Sequence, residues 1–216
     1  MIYKYNMDKK ELSLRFEKFL SRNYPDVKCS LDYRSPFELL CATILSAQCT
    51  DKRVNIITKE LFRKYPTPMA MADADYDDMC EVIKSAGLYK NKAKSLISMA
   101  KDLTEKFGGE VPDSLKDLTS LAGVGRKTAN VVLGNIYGMP GIVVDTHVKR
   151  ITNRLGLTDS QDPVKIEHEL ENLIDGDKHC MWGHRVIHFG REICTARQPK
   201  CGICGVKDVC RFYSTL

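Results

Sequence analysis

A lysine and an aspartate within one stretch, residues 121–150, are the side chains of this chain best suited to covalent chemistry. Lys127 follows the glycine turn Gly123-Val124-Gly125 at the predicted start of a helix, and Asp145 stands at the predicted start of another. A tight glycine turn that opens a helix presents backbone N–H groups and a positive dipole end, which suit a phosphate. A lysine beside that end can act as an amine nucleophile when a carboxylate activates it. The stretch predicts a grip on a nucleic-acid backbone with covalent chemistry beside it.

The helix dipole alone cannot make Lys127 nucleophilic. A free lysine has a pKa of about 10.4, and bringing that pKa to about 7 takes roughly 4.6 kcal/mol of differential interaction. A helix N-terminus contributes only about 0.3–2 kcal/mol. Desolvation or proton removal by a carboxylate must supply the rest, and Asp145 is the best candidate base. Taken alone, the motif leaves open a simpler interpretation, in which Lys127 anchors a phosphate and Asp145 only caps a helix.

A second group with chemical potential is a set of four cysteines near the end of the chain. Their spacing, C-x6-C-x2-C-x5-C, lets four thiolates wrap one metal centre: Cys194, Cys201, Cys204 and Cys210. Structural zinc sites commonly use two short knuckles separated by a longer arm, whereas this loop has a single C-x2-C with one cysteine on each side. The spacing therefore favours a [4Fe–4S] cluster and leaves zinc open. Arg197 and Lys200 in the same loop could contact a phosphate backbone, or they could simply keep the tail soluble.

The elements that carry these groups are predicted to be helices. Apolar spacing and capping residues indicate an all-α fold of roughly ten short helices. An amphipathic helix covers residues 8–23, and Ser35-Pro36-Phe37-Glu38 opens a helix that is apolar nearly all round, with Ser35 and Glu38 forming a capping box. Asp51 is expected to cap the next helix. Residues 88–94 look exposed, and Val164 is expected to be buried in a later helix.

Composition sets the class of protein. A net charge of +5 fits a nucleic-acid partner without requiring one. The N-terminal stretch lacks the apolar segment of a secretory signal, and the longest uncharged run, residues 128–144, is too short and too interrupted by glycine and proline to span a membrane. We therefore expect a reducing compartment, in which nine cysteines serve metal binding and packing instead of disulfides. The scattered cysteines are expected to be small buried apolar residues: Cys29, Cys41, Cys49, Cys80 and Cys180.

Several motifs in one order resemble the endonuclease III family of DNA glycosylases. LAGVGRKTA followed by VDTHVKR is similar to the family's helix-hairpin-helix and Gly-Pro-Asp region, and the cysteine tail is similar to its iron–sulfur loop. LSAQCTD at 45–51 and AGLYKNKA at 86–93 match two further family segments. The resemblance spans residues 35–210 and implies a [4Fe–4S] cluster. In one departure, Ala122 stands where the family's hairpin has proline, so we expect a slightly less rigid hairpin with intact binding.

The resemblance implies a bifunctional DNA glycosylase and AP lyase of base excision repair, which removes oxidised pyrimidines of the thymine glycol type. Such an enzyme flips the damaged base out of duplex DNA. Lys127 would attack C1′, expel the base and form a Schiff base, and β-elimination would cut the strand, with Asp145 assisting. Gln48 and Leu88 would fill the gap left by the flipped nucleotide. The backbone N–H groups of Gly123, Val124 and Gly125 would contact phosphate.

The family fold implies two helical domains with a DNA-binding cleft between them. One is a six-helix barrel at residues 29–139, with the helix-hairpin-helix at about 115–136. The other is discontinuous, made of residues 1–28 and 140–216, and carries the cluster loop 194–210. The expected partner is double-stranded DNA with damaged bases or abasic sites, bound by a monomer and without a membrane. The expected location is cytoplasmic and nucleoid-associated in a bacterium, or nuclear or mitochondrial in a eukaryote.

Two other functions stay open at this point. An adenine- or mismatch-specific glycosylase of the same superfamily would share the cluster and the aspartate. The adenine branch, however, lacks a lysine at the position of Lys127 and has an extra C-terminal domain, which we do not expect so soon after Cys210. The second is a non-catalytic iron–sulfur module that binds DNA or carries electrons. Among other candidates, His147 could face the cleft, His184 and His188 lack an evident third metal ligand, and Trp182 is expected in the core.

Overall fold

The computed structural model describes residues 7–216, and every regular element in that range is helical. This confirms the all-α prediction. No helix in the same range is long and apolar enough to cross a bilayer. The α-helices of the described range are α1 Lys9–Asn23, α2 Pro36–Leu45, α3 Asp51–Lys64, α4 Pro68–Ala72, α5 Tyr76–Ile83, α6 Tyr89–Phe107, α7 Leu115–Ser120, α8 Arg126–Ile136, α9 Thr146–Leu155, α10 Pro163–Glu171 and α11 His179–Glu192.

The chain divides into two compact units, each with its own hydrophobic core. The first unit is Cys29–Tyr137 and contains α2 to α8. The second joins the N-terminal part up to Lys28 to Gly138–Leu216 and contains α1 and α9 to α11.

Helix α2 lies at the centre of the first unit, where every residue from Phe37 to Leu45 is buried. Its start follows from the sequence: Ser35 Oγ accepts a hydrogen bond from the Glu38 N–H at 3.2 Å, and proline occupies the first turn. The Glu38 carboxylate reaches one residue further back than a capping box requires and accepts from the Arg34 N–H at 2.7 Å. An apolar helix with a well-defined start thus forms the axis of the core.

Helix α1 packs against α11, which comes much later in the sequence of the same unit. The Phe16 ring packs edge-on against Trp182 and Phe189, with centroid distances of 6.2 and 5.6 Å. All three side chains are almost fully buried. The expectation that Trp182 belongs to the core is confirmed, and the aromatic contact explains why the amphipathic α1 packs far from its neighbours in sequence.

Three local expectations were wrong. Thr50 caps α3, with its Oγ1 accepting from the Arg53 N–H at 3.3 Å, because the helix already begins at Asp51, the position assumed for the cap. Val164 is 44% exposed because it lies on the opposite side of α10 from the buried Ile166. Lys92, inside the segment expected to be exposed, is buried. Of the scattered cysteines, two are buried and three only partly so: Cys41 and Cys80, then Cys29, Cys49 and Cys180.

Candidate DNA-binding and catalytic site

The glycine turn predicted from sequence joins α7 to α8 and is anchored in the core of the first unit. Leu121 and Val124 are both buried in that core. Gly123 has a φ of +76°, and a Cβ at this position would lie 2.7 Å from Ser95 Cβ on α6. Only glycine satisfies both the backbone conformation and this close approach. The turn is therefore fixed against the body of the unit on one side, while Gly123 and Gly125 are exposed.

The start of α8 is open to an anion. Its N-cap is Gly125, which supplies no side-chain hydrogen bond, and the first N–H groups of a helix have no partner inside the helix. The Val124 N–H is already used within the turn, where it donates to the Leu121 carbonyl oxygen at 3.1 Å. Among the predicted phosphate donors, this leaves Gly123 and Gly125 better suited than Val124.

Lys127 and Asp145 both stand at helix starts, in different units. Lys127 is the second residue of α8, and its side chain is exposed. Asp145 is the N-cap of α9, and its Oδ1 accepts from the N–H groups of His147 and Val148 at 2.9 and 2.8 Å. Because both bonds go to Oδ1, capping occupies only one of the two carboxylate oxygens. Asp145 is thus a helix cap, as its simpler interpretation held, and still has an oxygen that can accept a proton.

A buried histidine fixes the segment that leads to Asp145. His179 is 4% exposed, its Nδ1 accepts from the Gly141 N–H at 3.0 Å, and its Nε2 lies 3.0 Å from the Ile174 carbonyl oxygen. Since a carbonyl oxygen only accepts, Nε2 must carry the proton in this neutral ring. This role could not be predicted from the sequence, because both partners of the ring are backbone groups.

The ring of His147, two residues after Asp145, contacts another residue of α9. Its Nδ1 lies 3.1 Å from Nη2 of Arg150. A guanidinium only donates, so Nδ1 is an acceptor in this contact. This contact holds the ring on its own helix.

Gln48 and Leu88, the residues implied to fill the gap, lie on two neighbouring turns of the first unit. Both have left-handed backbone conformations, with φ of 54° and 49°, although neither is glycine. Both are exposed. Gly87, the neighbour of Leu88, lies close to the turn that carries Gln48, because a Cβ on Gly87 would be 3.9 Å from the Gln48 carbonyl oxygen. The structure therefore brings together these two residues, and Cys49 packs against the core as expected.

The four predicted cluster cysteines line one pocket of about 390 Å³ in the second unit, counting its open mouth. Burial raises the pKa of the Cys204 and Cys210 thiols, and the charges of the neighbouring cysteines raise both further. Four such thiols close together are unfavourable as thiolates unless a cationic centre neutralises them. The donor set fits an iron–sulfur cluster, whose irons take cysteine thiolates. In the described range, no group of three or more His, Cys, Asp or Glu is arranged to hold a single metal ion.

Helix α9 holds the start of the cysteine loop through Arg154. Its guanidinium donates to the carbonyl oxygens of Thr195 and Ala196 at 2.8 and 2.9 Å and lies 3.4 Å from Cys194 Sγ. The same group lies over the ring of Phe212, 4.6 Å from its centroid. Arg150, one turn earlier, donates to the Cys194 carbonyl oxygen at 3.0 Å. Neither arginine could be identified from the sequence, because nothing in their local pattern distinguishes them from surface cations.

The cations of the loop fall into two groups. Lys207 donates to the Gly202 carbonyl oxygen at 2.7 Å, and Arg211 pairs with Asp159. Arg197 and Lys200, the two predicted DNA contacts, are exposed. These two are therefore the better placed to meet a phosphate.

Two family models match the chain. Residues 41–175 match the HhH-GPD superfamily of base excision DNA repair proteins. Residues 194–210 match the iron-sulfur binding domain of endonuclease III. The first match contains the hairpin, Lys127 and Asp145, and the second begins and ends on the first and last cluster cysteines.

Relatives of known name match over nearly the whole length. The chain is 45% identical to an endonuclease III of Synechocystis over 203 residues, 94% of this chain and 93% of the relative. It is 40% identical to the Escherichia coli K12 endonuclease III over 193 residues, 89% of this chain and 92% of the relative. A solved structure of a trapped endonuclease III–DNA covalent intermediate is 40% identical, with a TM-score of 0.91, and covers 97% of this chain and 98% of its own.

Proposed function

Because the chain belongs to the endonuclease III family of base excision repair proteins, we propose that it excises oxidised pyrimidines of the thymine glycol type, using Lys127 as nucleophile and Asp145 as its base. The coarser activity is fixed by the family: the protein is a DNA glycosylase and AP lyase that acts on DNA and carries a [4Fe–4S] cluster. The proposal adds the substrate class and the residues.

The single observation that carries the proposal is the place of Lys127 on an uncapped helix start. Phosphate bound by the open N–H groups of that turn would hold the DNA backbone beside the Lys127 amine. Since the side chain is exposed in the free protein, the bound DNA must supply any desolvation. The covalent protein–DNA intermediate trapped in the endonuclease III structure supports a nucleophile on the protein.

The proposed reaction consists of proton transfer, addition at C1′, ring opening and β-elimination. Asp145 takes a proton from the Lys127 ammonium, and the free amine forms a bond to C1′ while the C1′–N bond to the base breaks. The base leaves with that electron pair and takes up a proton. Ring opening gives a Schiff base, loss of a 2′ proton breaks the C3′–O bond, and water releases Lys127.

The remaining roles concern grip and shape. Gln48 and Leu88 fill the gap in the duplex, and the exposed Arg197 and Lys200 contact the backbone. We assign residues 29–139 to a barrel domain and the remainder to a discontinuous domain that carries the cluster. The whole protein would act on duplex DNA as a monomer. In a bacterial host, as for the relatives named above, the enzyme would work on the nucleoid.

The cysteine loop is proposed to hold the cluster with four thiolates: Cys194, Cys201, Cys204 and Cys210. When bound, the cluster supplies a rigid cationic anchor for four chain segments. The residues around it do the rest: Arg154 fixes the loop's first turn, and the loop presents Arg197 and Lys200. Iron and sulfide analysis tests this assignment, with matching iron and sulfide expected and zinc in their place contradicting it.

Borohydride trapping tests the nucleophile. Wild-type protein should become covalently attached to duplex DNA that contains thymine glycol, and Lys127→Ala should give no adduct. Lys101→Ala, which removes an exposed lysine on α6, is the matched control and should trap normally. An undiminished adduct with Lys127→Ala would refute the proposed nucleophile. Excision from adenine mispairs, with none from thymine glycol, would refute the substrate class while leaving the lyase activity intact.

A further inference from the structure

Lys92 is a charged side chain buried in the first unit, and the proposed reaction does not use it. It is 5% exposed. Its Nζ donates to two backbone carbonyl oxygens, that of Leu45 at 2.8 Å and that of Ala86 at 2.7 Å. Burial lowers the pKa of this amine, and the nearby Cys49 thiol opposes that change. A buried ammonium is costly unless it is well hydrogen-bonded, so these two contacts account for its stability there.

The two acceptors mark the points where two functional turns begin. Leu45 is the last residue of α2, directly before the turn that carries Gln48. Ala86 ends a short 3-10 helix, Lys84–Ala86, directly before Gly87 and Leu88. One ammonium group therefore links the first residues of the two turns.

The backbone of Lys92 reaches the second turn as well. Its N–H donates to the Leu88 carbonyl oxygen at 3.1 Å, because Leu88 is the N-cap of α6 and Lys92 lies in the first turn of that helix. Main chain and side chain of one residue thus contact Leu88, Ala86 and Leu45. A lysine that only capped the end of α2 would need just the last of these contacts.

The two turns are also the places where backbone strain is found. Among the described residues, Gln48 and Leu88 are the non-glycine residues with positive φ. Such conformations persist only where the surroundings enforce them, and they concentrate at functional sites. The hydrogen bonds of Lys92, which link the starts of both turns, are a means of enforcing the two left-handed conformations together.

We propose that Lys92 is a positioning residue that holds the Gln48 turn and the Leu88 turn at a fixed separation, so that both side chains enter the gap in duplex DNA together. The inference rests on the proposed gap-filling roles of Gln48 and Leu88. It does not depend on which damaged base is excised.

The test compares strand cleavage at an abasic site in duplex DNA and in single-stranded DNA under single-turnover conditions. A single strand has no opposing base and no gap to fill, whereas the chemistry at Lys127 is the same. Lys92→Met should slow duplex cleavage about 10- to 100-fold, the size expected for a small misplacement of positioning groups. Cleavage of the single strand should change less than about 3-fold, well below that misplacement effect. Lys101→Met, which removes the same charge from an exposed position on the same helix, should leave both rates unchanged.

Two results would overturn the proposal: duplex cleavage by Lys92→Met at the wild-type rate, or an equal loss on both substrates. If Lys92→Met does not fold, Lys92→Arg takes its place under the same criteria, because it keeps a cation with N–H donors and alters the spacing of the two turns. Failure to excise thymine glycol would refute the substrate proposal without bearing on this comparison, since both substrates are abasic.

A double-mutant cycle asks whether Lys92 acts through Leu88. In a Leu88→Ala background, Lys92→Met should slow duplex cleavage by less than about 2-fold, because the side chain that it positions is already gone. A full additional loss in that background would show that Lys92 acts elsewhere and would refute the proposal.

Discussion

Residues 29–137 place their proposed DNA contacts by backbone conformation, whereas the second unit places its functional groups by side-chain hydrogen bonds. In the first unit, Gln48, Leu88 and Gly123 all have positive φ. Lys127 stands on a helix that begins at a glycine without a side-chain cap. These positions depend on turns that the surrounding core holds in place.

The second unit works by a different means. Asp145 is oriented by accepting two backbone N–H groups, and His179 fixes the approach to it through Gly141. Arg150 and Arg154 hold the cysteine loop from one face of α9. Each unit is therefore sensitive to a different kind of substitution. The first unit depends on the close approach at Gly123 and on the buried Lys92, and the second depends on several individual donors and acceptors.

The largest effect is expected at Asp145, where one side chain both caps α9 and serves as the proposed base. Asp145→Asn should lower the single-turnover rate of base excision by about 10²- to 10⁴-fold, the usual contribution of a general base. Thermal stability should hardly change, because asparagine caps a helix about as well as aspartate. The two readouts together separate the cap from the base.

Asp145→Ala is the matching control, because it removes both roles. It should be as slow as the asparagine variant and about 1 kcal/mol less stable. A wild-type excision rate for Asp145→Asn would mean that the residue is a cap and nothing more.

In the first unit, the stability of the turn before α8 depends on Gly123. Gly123→Ala forces a Cβ to 2.7 Å from Ser95 Cβ at a φ of +76°. We expect a loss of about 2–4 kcal/mol in the free energy of unfolding, from backbone strain and overpacking together. Denaturant unfolding measures this loss, and weaker binding to undamaged duplex DNA should accompany it.

Gly109→Ala separates the two causes of that loss. Gly109 also has positive φ, +85°, but nothing lies within 4 Å of its Cβ position. It should cost about 1 kcal/mol, from strain alone. Equal losses for the two alanine variants would show that the contact with Ser95 contributes nothing.

The next effect concerns the donors that hold the cysteine loop. Arg154→Lys keeps the charge but cannot serve Thr195, Ala196 and Cys194 from one planar group, so we expect a loss of about 1–3 kcal/mol. Denaturant titration, followed by the visible absorbance of the cluster, measures it. Arg15→Lys is the control, because Arg15 makes only an exposed ion pair with Asp208 of the same loop. Similar losses in both variants would argue against a special role for Arg154.

The features that could be predicted from the sequence are those whose interacting groups lie close together along the chain. Helix starts were predictable where a capping side chain marks them, as at Ser35 and Asp145, because the cap and the N–H groups that it accepts are local in sequence. The Gly123 turn was predictable because glycine signals positive φ. The cysteine loop was predictable because its ligands are close in sequence.

The rest depends on contacts between distant segments. Lys92 looked exposed in a lysine-rich segment, and its acceptor Leu45 belongs to another helix. The positive φ of Leu88 has no sign in a residue that ordinarily avoids it. Arg154 differs from a surface arginine only through partners forty or so positions away. Tertiary packing decides each of these, and a local pattern carries no trace of it.

The smallest effect sets stability against function at one backbone position of the first unit. Leu88 is 56% exposed at a φ of 49°, so Leu88→Gly loses little buried surface and relieves the strain. We expect a gain of about 0.5–1 kcal/mol in stability, after the greater freedom of glycine in the unfolded chain is subtracted. Base excision should nevertheless slow, because nothing would fill the gap. Leu88→Ala should be equally slow without that gain, since alanine keeps the strain. A glycine variant less stable than the alanine variant would show that the left-handed backbone here costs nothing, and the contrast between the two units would then rest on Gly123 alone.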